Sequence, residues 1–282
     1  MHVYALNFWG ETATDLLQGA LDYWNTWYTR IISILQAPIT EAFDGTVWDV
    51  VTGIMTVIEG TGITLLVIFY LYGLIKSSIS YQDFHRHPKQ IIFSLFRLLI
   101  AKFFVTYASD ILLGILSVAQ NLIRSINANV AGTDFQVPDN LKDALAEASW
   151  AGGMGACLTA LLLHVIIFLL AVILCVMVYA RFFKIYLMAT IAPIPLAGFA
   201  SEQTESFGVN YLKSYTAECL RGILILAACM IFTAFAASPA GEVSGSPGYM
   251  TLFYGGGILL QMLLLVIVVR ASDRMVKEIF GL

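Results

Sequence analysis

The sequence predicts an all-α integral membrane protein with about five transmembrane helices. One short re-entrant or broken helix is expected at 185–200, and an amphipathic helical region at the N-terminus. Three observations carry this reading. Hydrophobic residues make up 59% of the 282 residues, and the mean hydropathy is +0.81. Charged residues supply 12%, about half the share usual in a soluble domain. Apolar runs of roughly 20 residues, the length that crosses the hydrocarbon core, recur along the chain. A soluble fold so poor in charge would expose large apolar patches and aggregate; lipid removes that difficulty.

Composition also bounds function. The formal net charge is −4, which argues against a surface that coats nucleic acid, since such surfaces are basic. It does not exclude a pore through which nucleic acid or protein passes. Cys157, Cys175, Cys219 and Cys229 lie in or beside apolar runs with no C-x-x-C pair, so they read as small buried hydrophobes rather than a disulfide framework or a metal site. The first thirty residues lack a basic segment followed by a continuous apolar run, and Glu11, Asp15 and Asp22 interrupt them. They do not read as a signal peptide.

Residues 1–50 form the expected extracytoplasmic, interfacial part. Trp9, Tyr23, Trp24, Trp27, Tyr28 and Trp48 cluster there, and such rings favour the membrane–water boundary. The stretch from Thr12 to Leu35 reads as one or two amphipathic helices, with apolar residues at Leu16, Leu17, Ala20, Leu21, Trp24, Tyr28, Ile31 and Ile32, and Pro38 breaks it. This stretch is expected to lie on the membrane or on a partner.

Residues 51–282 form the expected polytopic domain, with spans at about 54–75, 91–118, 155–180, 219–237 and 251–270. The first span carries Glu59, which either lines a polar pathway or caps a packing contact, and Gly60 and Gly62, which permit close helix contact. A short loop with Lys76, His85, Arg86, His87 and Lys89 follows. In the second span Arg97 and Lys102 read as interface anchors ahead of pore residues. An outer loop at 119–150 holds a turn near Val137–Asn140 and a short helix capped by Asp139 or Asn140. The third span carries His164 and ends at Arg181 and Lys184. His164 reads first as an interhelical hydrogen-bond group and second as a transport residue.

Residues 185–200 are apolar but short, and they contain Pro193 and Pro195. Proline removes a donor and disrupts a helix, so this stretch reads as an element lining protein or water rather than lipid. If it does not span, the basic residues other than Arg30, Arg124 and Lys142 all fall on or near one face. The positive-inside rule then favours five spans, with the N-terminus outside and the C-terminus in the cytoplasm. Glu218 and Arg221 are spaced as an i, i+3 ion pair at a helix start.

No H-E-x-x-H, Walker A, G-x-S-x-G or G-x-G-x-x-G pattern occurs. The chain is therefore expected to have no catalytic activity and to need no cofactor or metal, and any energy source would be a separate chain.

The segment 181–237 resembles the central part of TrbL-like conjugal transfer proteins, the polytopic inner-membrane subunits of type IV secretion systems, in the form found in Gram-positive conjugative elements. The matching features are Arg181 and Lys184, the Ala-Pro-Ile-Pro-Leu-Ala stretch around Pro193 and Pro195, a polar Ser/Glu/Thr stretch, Tyr-Leu-Lys-Ser-Tyr, and Glu218 before a long apolar span. The resemblance implies a channel or scaffold subunit that helps form the passage for a DNA–relaxase substrate. It implies other membrane subunits, a secretion ATPase and a coupling protein as partners, and it allows a homo-oligomeric ring. It places the chain in the cell membrane. The alternative reading from the residues is a small-solute transporter with the broken helix as its binding site, weakened by the lack of an internal repeat.

Overall fold

The computed structural model describes residues 2–40, 45–80, 88–127, 135–236 and 245–282. Among these there are helices and no strand. In chain order they are α1 (His2–Gln36), α2 (Thr46–Ser80), α3 (Pro88–Thr106), α4 (Ala108–Asn127), α5 (Asp139–Ala146), α6 (Trp150–Ile191), α7 (Pro193–Leu196), α8 (Glu205–Ala236) and α9 (Pro247–Phe280), with a 3-10 turn at Ala197–Ala200 after α7. The basic loop with His85, Arg86 and His87, and most of the Gly/Ser/Pro loop at 238–250, lie outside the described residues.

Among the described residues four helices are long and apolar enough to cross a membrane: α2 over Thr46–Lys76, α6, α8 over Glu205–Phe235, and α9. Counting the bent pair α3–α4 as one span makes five. Their outer faces are apolar, as lipid requires: Val57, Phe96, Leu162, Leu187, Leu252 and Ile267 are all exposed. The protein is an all-α polytopic membrane protein.

Several boundaries differ from the sequence reading, each for a physical reason. The expected span at 91–118 is two helices that meet at 68°. Neither proline nor glycine stands at 106–108, so no local signal announces the bend. The Tyr107 N–H still donates to the Phe103 carbonyl at 2.9 Å. Residues 185–191, expected in the broken element, instead complete the 42-residue α6. The break proper begins at Ala192, where Pro193 opens α7 without a side-chain cap. The N-cap of α5 is Pro138, not Asp139 or Asn140.

The chain divides into two compact units. The first gathers Met1–Leu35, Ser125–Tyr179 and Leu224–Ser272. Here α1 contributes an apolar face to the packing. Leu17, Leu21, Trp24, Tyr28 and Ile31 on that face are buried. The Trp24 ring sits 6.2 Å from Phe232, and the Tyr28 hydroxyl donates to the Cys229 carbonyl at 2.8 Å. Amphipathic periodicity tells which face is buried but not what covers it. The segment before α5 is strapped to α1: Asn25 and the Phe135 backbone exchange two hydrogen bonds, and the Val137 N–H donates to Gln18.

The second unit gathers Gln36–Arg124, Ala180–Ile223 and Asp273–Leu282. In it α2 and α3 both pack on α7 and the following 3-10 turn. Small residues set these contacts. A Cβ on Gly62 would stand 2.9 Å from Pro193, and one on Gly73 would stand 2.6 Å from the Ser201 hydroxyl, so close approach depends on their absence. The Phe104 and Phe199 rings lie 4.8 Å apart across the same junction. On α4 the buried residues Ala108, Leu112, Leu116, Ala119 and Ile123 form one stripe.

Candidate functional site

Of the residues singled out by sequence, the structure brings four together in the second unit: Arg181 and Lys184 on α6, and Glu218 and Arg221 on α8. Arg181 is 1% exposed. Its guanidinium donates to two α8 carbonyls, from Nε to Glu218 O at 3.3 Å and from Nη2 to Cys219 O at 3.0 Å. It also lies 5.4 Å from the centre of the Phe182 ring. A planar, permanently charged fork suits such a site, because it serves two acceptors at once and stacks on an aromatic face.

Glu218 is 4% exposed and is flanked by two cations. Arg221 approaches one carboxylate oxygen at 3.0 Å, and the Lys184 ammonium contacts the other. A buried carboxylate needs this much compensation, since one unpaired charge in a poorly hydrated interior costs several kcal/mol, of order 3–5 when a partner is removed.

Two further residues complete the cluster, and the sequence reading did not single them out. Asp273 of α9 lies 3.3 Å from Lys184 and 3.4 Å from Arg221, and its other oxygen accepts from Lys277 at 2.7 Å. The i, i+4 spacing of Asp273 and Lys277 signals a local pair, but no sequence signal ties that pair to α6 and α8. The cluster borders an open cleft of about 220 Å³. Met188, Ala217, Val276 and Leu282 supply its apolar walls.

The other singled-out residues stand apart from this cluster. Pro193 is buried and Pro195 half-buried, in the break that packs on α2 and α3. Glu59 is half-buried on α2. His164, in the first unit, has Nδ1 2.9 Å from the Leu16 carbonyl. A carbonyl only accepts, so Nδ1 carries the proton in this contact. That is the interhelical hydrogen bond favoured from sequence. Arg97 is ion-paired with Glu205 of α8 at 2.9 Å, while Lys102 is exposed. Among the described residues no group of three or more His, Cys, Asp or Glu is placed to hold a metal ion.

No curated protein and no solved structure matches the chain. Residues 31–193 match the family described as TrbL/VirB6 plasmid conjugal transfer like protein. The matched stretch contains α2 to α6 and ends at Pro193, so it meets the segment that carried the sequence resemblance at Arg181, Lys184 and Pro193. It covers more than half of the sequence, and the chain belongs to the TrbL/VirB6 plasmid conjugal transfer-like family.

Proposed function

We propose that this chain is a non-enzymatic channel or scaffold subunit of a conjugative type IV secretion machine, helping to form the passage for a DNA–relaxase substrate. The observation that carries the reading is the family match over residues 31–193 in a chain with several membrane-crossing helices. In this reading a separate secretion ATPase and a coupling protein supply energy and substrate, and neighbouring membrane subunits complete the assembly. The distribution of basic residues supports an outside N-terminus and a cytoplasmic C-terminus. The first fifty residues then act as the outer part and the rest as the membrane domain.

Two parts of the molecule have assigned tasks in this proposal. The Arg181–Lys184–Glu218–Arg221–Asp273 cluster holds three long helices together through charges that lipid would not tolerate singly. The broken element around Pro193 and Pro195, held by Gly62 and Gly73 of α2, presents an irregular backbone on the cytoplasmic side, near the substrate entrance or a docked ATPase.

The test is the transfer frequency of the conjugative element in an in-frame deletion, with and without this chain supplied in trans. Loss of transfer restored by the intact chain is expected; unchanged transfer with no second copy of the gene would overturn the assignment. In the complemented strain, Pro193→Leu combined with Pro195→Leu is expected to abolish transfer while the protein still accumulates. Normal transfer in that variant would remove the role given to the break.

A further inference from the structure

We infer that the cleft between α6, α8 and the end of α9 is a binding site for the phosphate headgroup of an anionic phospholipid. Four cations gather there or directly behind it: Arg181, Lys184, Arg221 and Lys277. Among the side chains, Glu218 and Asp273 oppose them in the cluster, so these six side chains carry a formal excess of two positive charges. In a partly desolvated setting that excess attracts an anion more strongly than it would in water. Arg274 and Glu278 pair with each other and leave the balance unchanged.

Burial grades the cluster from floor to rim. Glu218 is 4% and Arg221 12% exposed, whereas Lys184 is 41% and Lys277 48% exposed. Each rim ammonium has three donors and is partly hydrated, so it can meet an incoming phosphate while it keeps its present carboxylate. Asp273 already sits among Lys184, Arg221 and Lys277 as an anion held by three donors. It occupies the position, in charge and geometry, that a phosphate oxygen would share or take.

The remaining lining decides between a free anion and an amphiphile. Met188, Val276 and Leu282 give the cleft an apolar side, which offers nothing to a hydrated inorganic ion and suits the glycerol and first methylenes of a lipid. The three helices also change character at this level: the apolar run of α6 ends at Arg181, that of α8 begins after Glu218, and that of α9 ends at Arg270. Cations at such a border attract anionic headgroups. The inference requires a bilayer and holds whether or not the chain acts in conjugation.

The experiment uses the full chain purified in detergent, offered phosphatidylglycerol and phosphatidylcholine with identical acyl chains, and read by native mass spectrometry. The native chain is expected to retain phosphatidylglycerol selectively. Lys184→Gln with Lys277→Gln is expected to weaken that retention by roughly tenfold or more. Asp273→Asn, which removes the internal competitor, is expected to strengthen it. A melting curve of each variant confirms folding, and Lys277→Gln alone serves if the double variant is unstable. Equal retention of the two lipids by the native chain would overturn the site, as would undiminished selectivity in the folded lysine variant. Displacement of the lipid by millimolar inorganic phosphate would overturn the amphiphile and leave a plain anion site. Displacement by a short single-stranded oligonucleotide, with no effect of phosphate, would reassign the cleft to a nucleic-acid backbone.

Discussion

The guanidinium of Arg181 lies where a side chain at Gly222 would begin. Arginine on α6 and glycine on α8 are thus one device: the missing Cβ opens the helix surface, and the fork reaches the Glu218 and Cys219 carbonyls one turn back. Those carbonyls belong to the main-chain ladder of α8, and each has a second lone pair to offer.

Gly222→Ala is therefore expected to destabilise the protein by about 1–3 kcal/mol, the usual range for overpacking, because a fully buried charge has nowhere to retreat. Gly256 of α9 meets no atom within 4 Å of a built Cβ, so Gly256→Ala is the matched control and is expected to be neutral. Thermal unfolding in detergent reads both. Identical melting of the two variants would show that Arg181 moves aside freely.

The carboxylates of the cluster should differ sharply from surface ones. Glu218→Gln leaves Lys184 and Arg221 with Asp273 alone, and breaking a buried pair costs about 3–5 kcal/mol, less some relief because Lys184 is partly hydrated. Arg274 and Glu278 form an exposed pair, 87% and 62% accessible, worth about 0–1 kcal/mol. Glu218→Gln is expected to reduce accumulation in the membrane several-fold while Arg274→Gln leaves it unchanged, measured by quantitative immunoblot. Equal accumulation would mean that Glu218 is hydrated in the folded protein.

How much of this was legible beforehand depends on the kind of signal. Long apolar runs announce themselves, and α2, α6, α8 and α9 fall where hydropathy puts them. Arg181, Lys184, Glu218 and Arg221 stood out because charges beside apolar runs are rare. Asp273 did not, because its role comes from α9 meeting α6 and α8, a tertiary fact with no local trace. The 68° bend at Tyr107 was hidden likewise: no proline or glycine marks it, and its surroundings include the Phe104–Phe199 contact, far apart in sequence. For α1 the buried face was readable from its period, but what covers that face was not.

His164 offers a test between hydrogen bonding and proton transport. Asparagine places an N–H donor close to where Nδ1 stands, but it does not titrate. His164→Asn is expected to preserve transfer and stability, whereas His164→Leu orphans one contact of the Leu16 carbonyl at a cost of about 1 kcal/mol. Transfer frequency and melting are measured for both. Loss of transfer in a stable, accumulating His164→Asn protein would point to a protonation role instead.

The contact between Gly62 and Pro193 links α2 to the broken element, and two neighbouring glycines separate that contact from a general effect of α2. A Cβ at Gly62 would stand 2.9 Å from both the Cβ and the carbonyl oxygen of Pro193, while one at Gly60 would meet nothing within 4 Å. Backbone cannot give way as a side-chain tip can, so Gly62→Ala must push α7 off α2. If the break serves transfer as proposed, an overpacking penalty of about 1–3 kcal/mol there is expected to lower transfer frequency at least about tenfold, with Gly60→Ala unaffected. Both variants should insert normally, because alanine suits a membrane helix as well as glycine does. If the two transfer alike at equal accumulation, the seating of the proline break on α2 is packing without consequence for the passage, and the break must act, if it acts at all, through α3.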